Sequence, residues 1–451
     1  MIEWDSLNCG DLVLAAGWPL NSSFLQVIIG EQIKRKNITI INMDLYHQRD
    51  ALLQEVEALA FKHPESMLVQ SWNSQVDGYR SDILIATIEH HNNLSVANKY
   101  RILLSFGQHG RELITSEVAL RLISVLVGEK EQAVFNNVTI MKMMQKLIIK
   151  VVPLENYNGR KIVESGQLCE RKNGRGVDIN RNWSVDWGKK EQDFDPTEEF
   201  PGNAPFSEPE TRIMRDVAKS FKPHLWINVH SGMQAMLMPY DHKNGLPDPR
   251  VMEPMKLLLQ ELNHLHCNNV CVIGSGGGSV GYLAHGTATD YMYEALGVPL
   301  AFTFEIYGDL EAPNEDCFRV FNPVTFDTFE SVVTNWSMAF ITIFVKLESV
   351  LLSLPLSLSR QNNGALFGRK FHISQRLPIG HSVSDARGWN NDVEWNNDVQ
   401  TLVEFIVLFS ASYLAFVWYI YLKPWDQALQ RLRTMLPFAS TVSSVNLIRQ
   451  T

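Results

Sequence analysis

Four short apolar runs recur along the chain, at Tyr100–Phe106, Leu147–Val152, His224–Val229 and Leu300–Phe304. Each is bounded by polar residues, the pattern of a central strand buried on both faces. Around them, apolar residues return every three or four positions over Leu45–Phe61, Leu113–Val127, Glu208–Ser220, Arg250–Leu265 and Val324–Leu347. That period predicts helices with one face on a core. Strands interleaved with helices over this length predict an α/β domain across residues 42–348, with a mixed, mostly parallel central sheet and helices on both faces. The last helical stretch is expected to close it.

Beyond that domain the pattern changes. Residues 349–404 are rich in Ser, Asn and Gly and contain a short duplication at Trp389–Gln400, which reads as a polar linker. Phe405–Leu422 is apolar throughout except for Ser410 and Ser412. At about 18 residues it meets the lower limit for a membrane-spanning helix. Trp418, Tyr419, Tyr421 and Trp425 crowd one end, followed by Lys423, Arg431 and Arg433 in the short basic tail 423–451. Aromatic belt and trailing cations predict a single-pass anchor with a cytoplasmic C-terminus and the folded domain on the lumenal or extracellular side. A buried amphipathic helix is the competing reading, but no polar stripe supports it. Residues 1–41 show neither the positive start nor the apolar core of a signal peptide and have no assigned role. A tail-anchored cytosolic protein and a soluble secreted one are therefore the rival placements.

At 451 residues the chain exceeds the size at which a single core usually stops growing, so appendages to one large domain are expected. A net charge of −9 and no lysine-rich run argue against nucleic acid as a partner. Five cysteines, none in a CxxC pair, argue against a thiolate zinc site and leave room for one or two disulfides that the sequence does not pair. Glycosylation sequons occur at Asn21, Asn37, Asn93, Asn137, Asn182 and Asn335, with Asn182 a poor acceptor because its motif reads as buried.

The candidate chemistry sits where the strands end. After the first run come His109-Gly110-Arg111-Glu112; after the second, "CERKNGRGVDINRNW" from Cys169 to Trp183. The third run ends in His230 and the last in Glu305. In an open α/β sheet, sites form outside the carboxyl ends of strands. A lone histidine at a strand end is more often a satisfied loop group than a ligand; four polar ends in one domain change that balance. Two imidazoles and a carboxylate are a usual ligand set for catalytic zinc, with one position left to water. His109, Glu112 and His230 fit that count, and Glu305 suits a general base.

These motifs, in this order over Asn42 to Leu347, resemble the zinc metallocarboxypeptidase family of carboxypeptidases A and B. The resemblance implies one Zn²⁺ held by His109, Glu112 and His230, with Glu305 as base and peptide or protein C-termini as substrates. It implies that Arg171 steadies the scissile carbonyl, that Arg111 contacts substrate, that Asn180 and Arg181 bind the terminal carboxylate, and that Tyr282 closes over it. An exopeptidase must recognise a free carboxylate, and an arginine can do so bidentately. The pocket for the terminal side chain is implied to be lined by Asp241, after Pro239-Tyr240, with Thr289 at its floor. Aspartate at the lining position implies a preference for C-terminal Lys or Arg; a solvated Asp241 would leave a small neutral pocket. Gly232 stands where carboxypeptidase A has a tyrosine, and the β-sandwich that follows the catalytic domain in one branch is replaced by the apolar stretch.

Three readings compete. Gly276-Gly277-Gly278-Ser279-Val280-Gly281 formally matches a dinucleotide fingerprint, but it lies late in the domain and Gly286 interrupts any helix after it, so a loop carrying Tyr282 is the better reading and no dinucleotide is expected. A zinc acylase would keep the ligands and Glu305 without needing Asn180, Arg171 and Tyr282. A non-catalytic peptide-binding membrane protein would be marked by loss of a ligand or of Glu305, and none is lost.

Overall fold

The computed structural model describes residues 41–90, 98–130, 137–313 and 315–355. The N-terminal segment up to residue 40, the linker from residue 356, the apolar stretch 405–422, the basic tail and the sequons at Asn21, Asn37 and Asn93 lie outside the described residues.

Eight strands build one sheet: β1 (Met67–Val76), β2 (Tyr79–Glu89), β3 (Tyr100–Phe106), β4 (Leu147–Val152), β5 (Leu225–His230), β6 (Met233–Met238), β7 (Val272–Ser275) and β8 (Leu300–Tyr307). Their order across the sheet is β1-β2-β4-β3-β5-β8-β6-β7. The four expected runs are β4, β3, β5 and β8, adjacent and mutually parallel at the centre. The antiparallel flanks escaped the reading of apolar runs. β1 pairs antiparallel with β2, β2 with β4, and β6 with β8. β1 alternates Gln, Ser and Asn with apolar residues and is mostly open to solvent, so it carries no continuous apolar run. Its turn did carry a signal: Asp77 and Gly78 both have positive φ, 50° and 81°, and join Val76 to Tyr79 in a two-residue hairpin.

Among the described residues, seven helices of two turns or more surround the sheet: α1 (Arg49–Lys62), α2 (Leu113–Leu126), α3 (Asn137–Met144), α4 (Tyr157–Glu164), α5 (Pro209–Phe221), α6 (Pro249–His266) and α7 (Phe326–Ser353). The pleat divides the core between the two faces. Ile102, Leu104 and Phe106 of β3 face a large cluster with α1, α2, α6 and α7, whereas Leu103 joins Trp183, Trp226 and α5 on the other side. The closing helix α7 runs to Ser353, beyond the expected end at Leu347, because Leu347 and Leu351 continue its buried stripe. Phe340 of α7 lies within 5.6 Å of Phe106 and 6.1 Å of Phe304, ring to ring, and Trp336 Nε1 donates to Ile306 O at 2.8 Å. Among the described residues, Cys317–Ser353 alone is long and apolar enough to cross a membrane; 61% of its most apolar window is buried against the sheet and neighbouring helices, as a core helix requires.

Among the described residues two disulfides tie the domain, Cys169–Cys317 and Cys267–Cys271. The first closes a separation of 148 residues. In the chain-entropy account, a loop of that order stabilises by about 4–5 kcal/mol.

The sheet's N-terminal edge is pinned by His224. Its backbone N–H donates to Arg101 O at 2.7 Å, and its Nδ1 accepts from Arg101 N at 2.8 Å. Burial, reinforced by the Arg101 charge, holds the imidazole down at about 3 against an ordinary 6.5. The unfolded chain therefore takes up a proton below about 6.5 that the folded chain refuses until about 3, so this stability is full above 6.5 and is lost as pH falls through that window. Thermal melts across this range should show a shallower loss of Tm in His224→Gln than in the wild type. Parallel profiles would remove His224 from the acid sensitivity.

Candidate active site

The parallel register of the central strands places the chemistry. His230, the last residue of β5, sits directly opposite Glu305 of β8. β3, on the other side of β5, ends at Phe106, and the chain turns there to present His109 before α2 begins. Glu112 occupies the cap position of α2. Gly110 lets two backbones meet this turn: a Cβ there would lie 2.7 Å from Gly159 C and 2.9 Å from Glu170 O. Its N–H donates to Arg171 O at 3.0 Å, which brings the Cys169–Trp183 segment against His109.

Glu112 reaches both histidines, Oε1 to His109 Nδ1 at 2.7 Å and Oε2 to His230 Nδ1 at 3.0 Å. The ligand atoms of the three side chains all lie within 4.8 Å of one another, and all three residues are buried. Burial alone would raise the Glu112 carboxyl, but His109 and His230 overcome it and hold the group well below the usual carboxylate range. The far nitrogen of His109, Nε2, lies 3.2 Å from Asp178 Oδ1. That carboxylate–imidazole pairing orients a ligand histidine and raises its basicity. Two convergent imidazole nitrogens, a carboxylate and an orienting aspartate suit one zinc ion.

Around this cluster, Arg171 Nη1 lies 3.2 Å from His109 Nδ1, while Nε and Nη2 pair with Asp178 Oδ2 at 2.9 and 2.8 Å. Burial pushes the Asp178 carboxyl up, but Arg171, His109 and Arg181 hold it well below its ordinary value. Glu305 is the opposite case. Burial, reinforced by Glu112 and opposed by His230, pushes its carboxyl up to about 8. Its Oε2 is buried and has no hydrogen-bond partner among the described residues.

A family model described as zinc carboxypeptidase matches residues 52–323, more than half of the chain. The chain belongs to the zinc carboxypeptidase family. It is 25% identical to mouse carboxypeptidase A2 over 290 residues, 60% of this chain and 65% of that protein. It is 25% identical to carboxypeptidase B of Astacus astacus over 314 residues, covering 64% and 94% respectively. The match thus spans just under two-thirds of the mouse relative. Among solved structures, thrombin activatable fibrinolysis inhibitor aligns with a TM-score of 0.56 at 20% identity, over 68% of this chain and 75% of that one. Carboxypeptidase A from Helicoverpa armigera aligns with a TM-score of 0.54 at 21% identity, over 73% and 79%. Relatives of both the A and B types appear at this distance.

The remaining residues implied by the carboxypeptidase resemblance divide into two groups. Asn180 and Arg181 both adjoin Asp178, and through it the candidate ligand His109. Asn180 Oδ1 accepts from Ala288 N at 3.0 Å, which leaves its amide NH₂ as a donor. Arg181 and Tyr282 line one cleft, and Tyr282 is 46% exposed. Arg111 is engaged elsewhere: it donates to Cys169 O at 3.0 Å, pairs with Glu198 at 2.8 Å and stacks 4.2 Å over Phe321.

Asp241 is not the head of a solvated loop. It is buried, accepts from Thr287 Oγ1 at 2.7 Å, and its own N–H donates to the Asp290 carboxylate at 3.0 Å. The glycine run packs onto it as a short helical turn, Gly276–Ser279; a Cβ on Gly276 would fall 1.9 Å from Asp241 Oδ1. Thr289 is buried too, with its hydroxyl 2.7 Å from Thr303 Oγ1. The sequence reading passed over Asp178 although it stands two residues before Asn180, and the acidic pair Glu198-Glu199 carried no motif at all. Asn182 is fully buried, with its amide bonded to Pro201, Ala204 and Ser207, in keeping with its dismissal as a glycan acceptor.

Removing the partner of His109 should loosen the ion without removing a ligand. Asp178→Asn is expected to weaken zinc retention by about 10–100-fold, read as metal content after dialysis against graded chelator. Unchanged retention would show that Asp178 does not support the ligand histidine.

Proposed function

We propose that the chain is a zinc-dependent carboxypeptidase that hydrolyses the C-terminal peptide bond of peptides or proteins and prefers C-terminal Lys or Arg. The observation that carries the reading is the convergence of His109, Glu112 and His230 on one point, with Glu305 on the neighbouring strand and Arg181 linked to His109 through Asp178. Zinc held by the three ligands would supply Lewis-acid polarisation of the scissile carbonyl and lower the pKa of water. The ion's charge would also favour the ionised form of Glu305 over the protonated one. Glu305 takes the proton from the attacking water and returns it to the leaving amine. Arg171, held by Asp178, donates to the carbonyl oxygen as negative charge develops there. Arg181 receives the terminal carboxylate, Asn180 adds a donor, and Tyr282 covers them from its exposed loop.

The preference for a basic terminal residue rests on Asp241. Burial, with Asp290 close by, pushes its carboxyl up to about 7. A substrate cation would draw it back to the ionised form and gain a charge-assisted bond of about 1.5–3 kcal/mol, one to two decades of preference. Thr289, with its hydroxyl committed to Thr303, leaves the pocket floor neutral.

We also propose that the folded domain lies on the lumenal or extracellular side of a membrane, anchored through residues 405–422. Two disulfides support an oxidising compartment.

Three measurements test these readings. Glu305→Gln should retain fold and zinc and lose several orders of magnitude in turnover, because only the proton acceptor is removed; near-normal turnover would sink the mechanism. Release of C-terminal Arg, Lys, Phe, Leu and Glu from otherwise identical peptides should rank Arg and Lys first, and Asp241→Ala should erase the ranking. Faster release of Phe or Leu by the wild type would refute the preference. In sealed microsomes the folded domain should resist added protease until detergent is supplied, and digestion without detergent would refute the topology.

A further inference from the structure

The loop between Asn182 and α5 brings two consecutive glutamates onto two arginines. Glu198 Oε2 lies 2.8 Å from Arg111 Nη1, and Glu199 Oε1 lies 2.5 Å from Arg181 Nη2. The Arg181 side chain is 8% exposed and that of Glu199 22%, so the second pair is largely removed from solvent. The loop is not free to wander. Asp178 N donates to Phe200 O at 2.8 Å, Asn182 Nδ2 donates to Pro201 O at 2.8 Å, and Trp187 Nε1 donates to the same carbonyl at 3.1 Å. Lys172 Nζ donates to Thr197 O. Glu199 is therefore presented to Arg181 by backbone that the neighbouring segment holds in place.

Arg181 is already partnered at both terminal nitrogens. Its Nη1 donates to Asn180 O at 3.2 Å and stands 3.9 Å from Asp178 Oδ2. Nη2 is the terminal nitrogen that meets a carboxylate, and it already meets one. Arg181, Glu199 and Tyr282 line the same cleft, so a ligand reaching this guanidinium also reaches Glu199.

We propose that Glu199 is a specificity-determining residue: its carboxylate holds Arg181 Nη2 in the free protein and is exchanged for the terminal carboxylate of the substrate. The inference rests on the reading of Arg181 as the carboxylate receptor. A terminal carboxylate brought to Nη2 would stand against the Glu199 carboxylate, and like charges that close in a partly buried cleft repel, so a free C-terminus takes this nitrogen as Glu199 leaves it. Glu199 thus weakens the binding of every acid by the fraction of time that Arg181 is free, and leaves neutral C-termini untouched. A pair closed about nine-tenths of the time weakens acids about tenfold. Glu199 sets the contrast between acids and neutral ends; Asp241 sets the choice among acids.

The test uses the full-length zinc-loaded Glu305→Gln protein, in which turnover is blocked, with and without Glu199→Gln. The probes are benzoyl-Gly-Arg and its C-terminal amide, with affinities read by calorimetry. Glutamine keeps a hydrogen bond to Arg181 without the charge, and Glu199→Ala serves as the second variant, each accepted once its melting temperature matches the parent. The acid should tighten about tenfold, while the amide keeps its affinity. Unchanged acid affinity, or equal tightening of acid and amide, overturns the proposal. Arg181→Gln in the same background separates the two ideas. Selective loss of acid binding there supports Arg181 as receptor whatever Glu199 does. If acid and amide bind alike and Arg181→Gln alters neither, the receptor reading and the proposal fall together.

Discussion

A single buried carboxylate ties the candidate site together. Asp178 has no exposed surface, and its two oxygens serve His109 Nε2, the backbone N–H of Asn180 and the fork of Arg171, with Arg181 Nη1 at 3.9 Å. A buried carboxylate without such partners would be costly, and with them it is locked in place. The group that orients a candidate metal ligand therefore also meets two of the candidate substrate arginines, Arg171 and Arg181. A shift of Asp178 would move all three at once.

The sheet supplies the other half of the constraint. Three adjacent parallel strands, β3, β5 and β8, deliver His109, His230 and Glu305 to the same edge. Parallel pairing makes the residues at successive strand ends neighbours, although 121 residues separate the two histidines. The disulfide Cys169–Cys317 then fastens the segment carrying Arg171 to the chain that follows β8. Two strand ends and the turn into α2 hold the candidate metal ligands and base, and stapled or hydrogen-bonded loops hold the groups that would meet substrate. This is the division expected where chemistry needs fixed geometry and binding needs access.

Much of this was legible from residue order. β3 and β4 matched their apolar runs at both ends, because a strand buried on both faces reads as continuous hydrophobicity. The outer strands did not, since one-sided or edge strands dilute that signal with polar residues. The site motifs were legible because their residue types are improbable at the ends of core strands. Asp178 was less so: a carboxylate inside a polar segment looks the same in sequence whether it faces water or a histidine.

By itself, the sequence determined the layered α/β plan, the central strands and the identity of the candidate ligands and base, because periodicity and strand-end chemistry are local properties. Only the tertiary structure decided that Asp241 is buried against the glycine run, how four of the cysteines pair, and that Glu198 and Glu199 face Arg111 and Arg181. Each of these depends on segments far apart in the chain packing to within a few ångströms. Burial and partner choice are set by that packing, and no spacing along the chain encodes them.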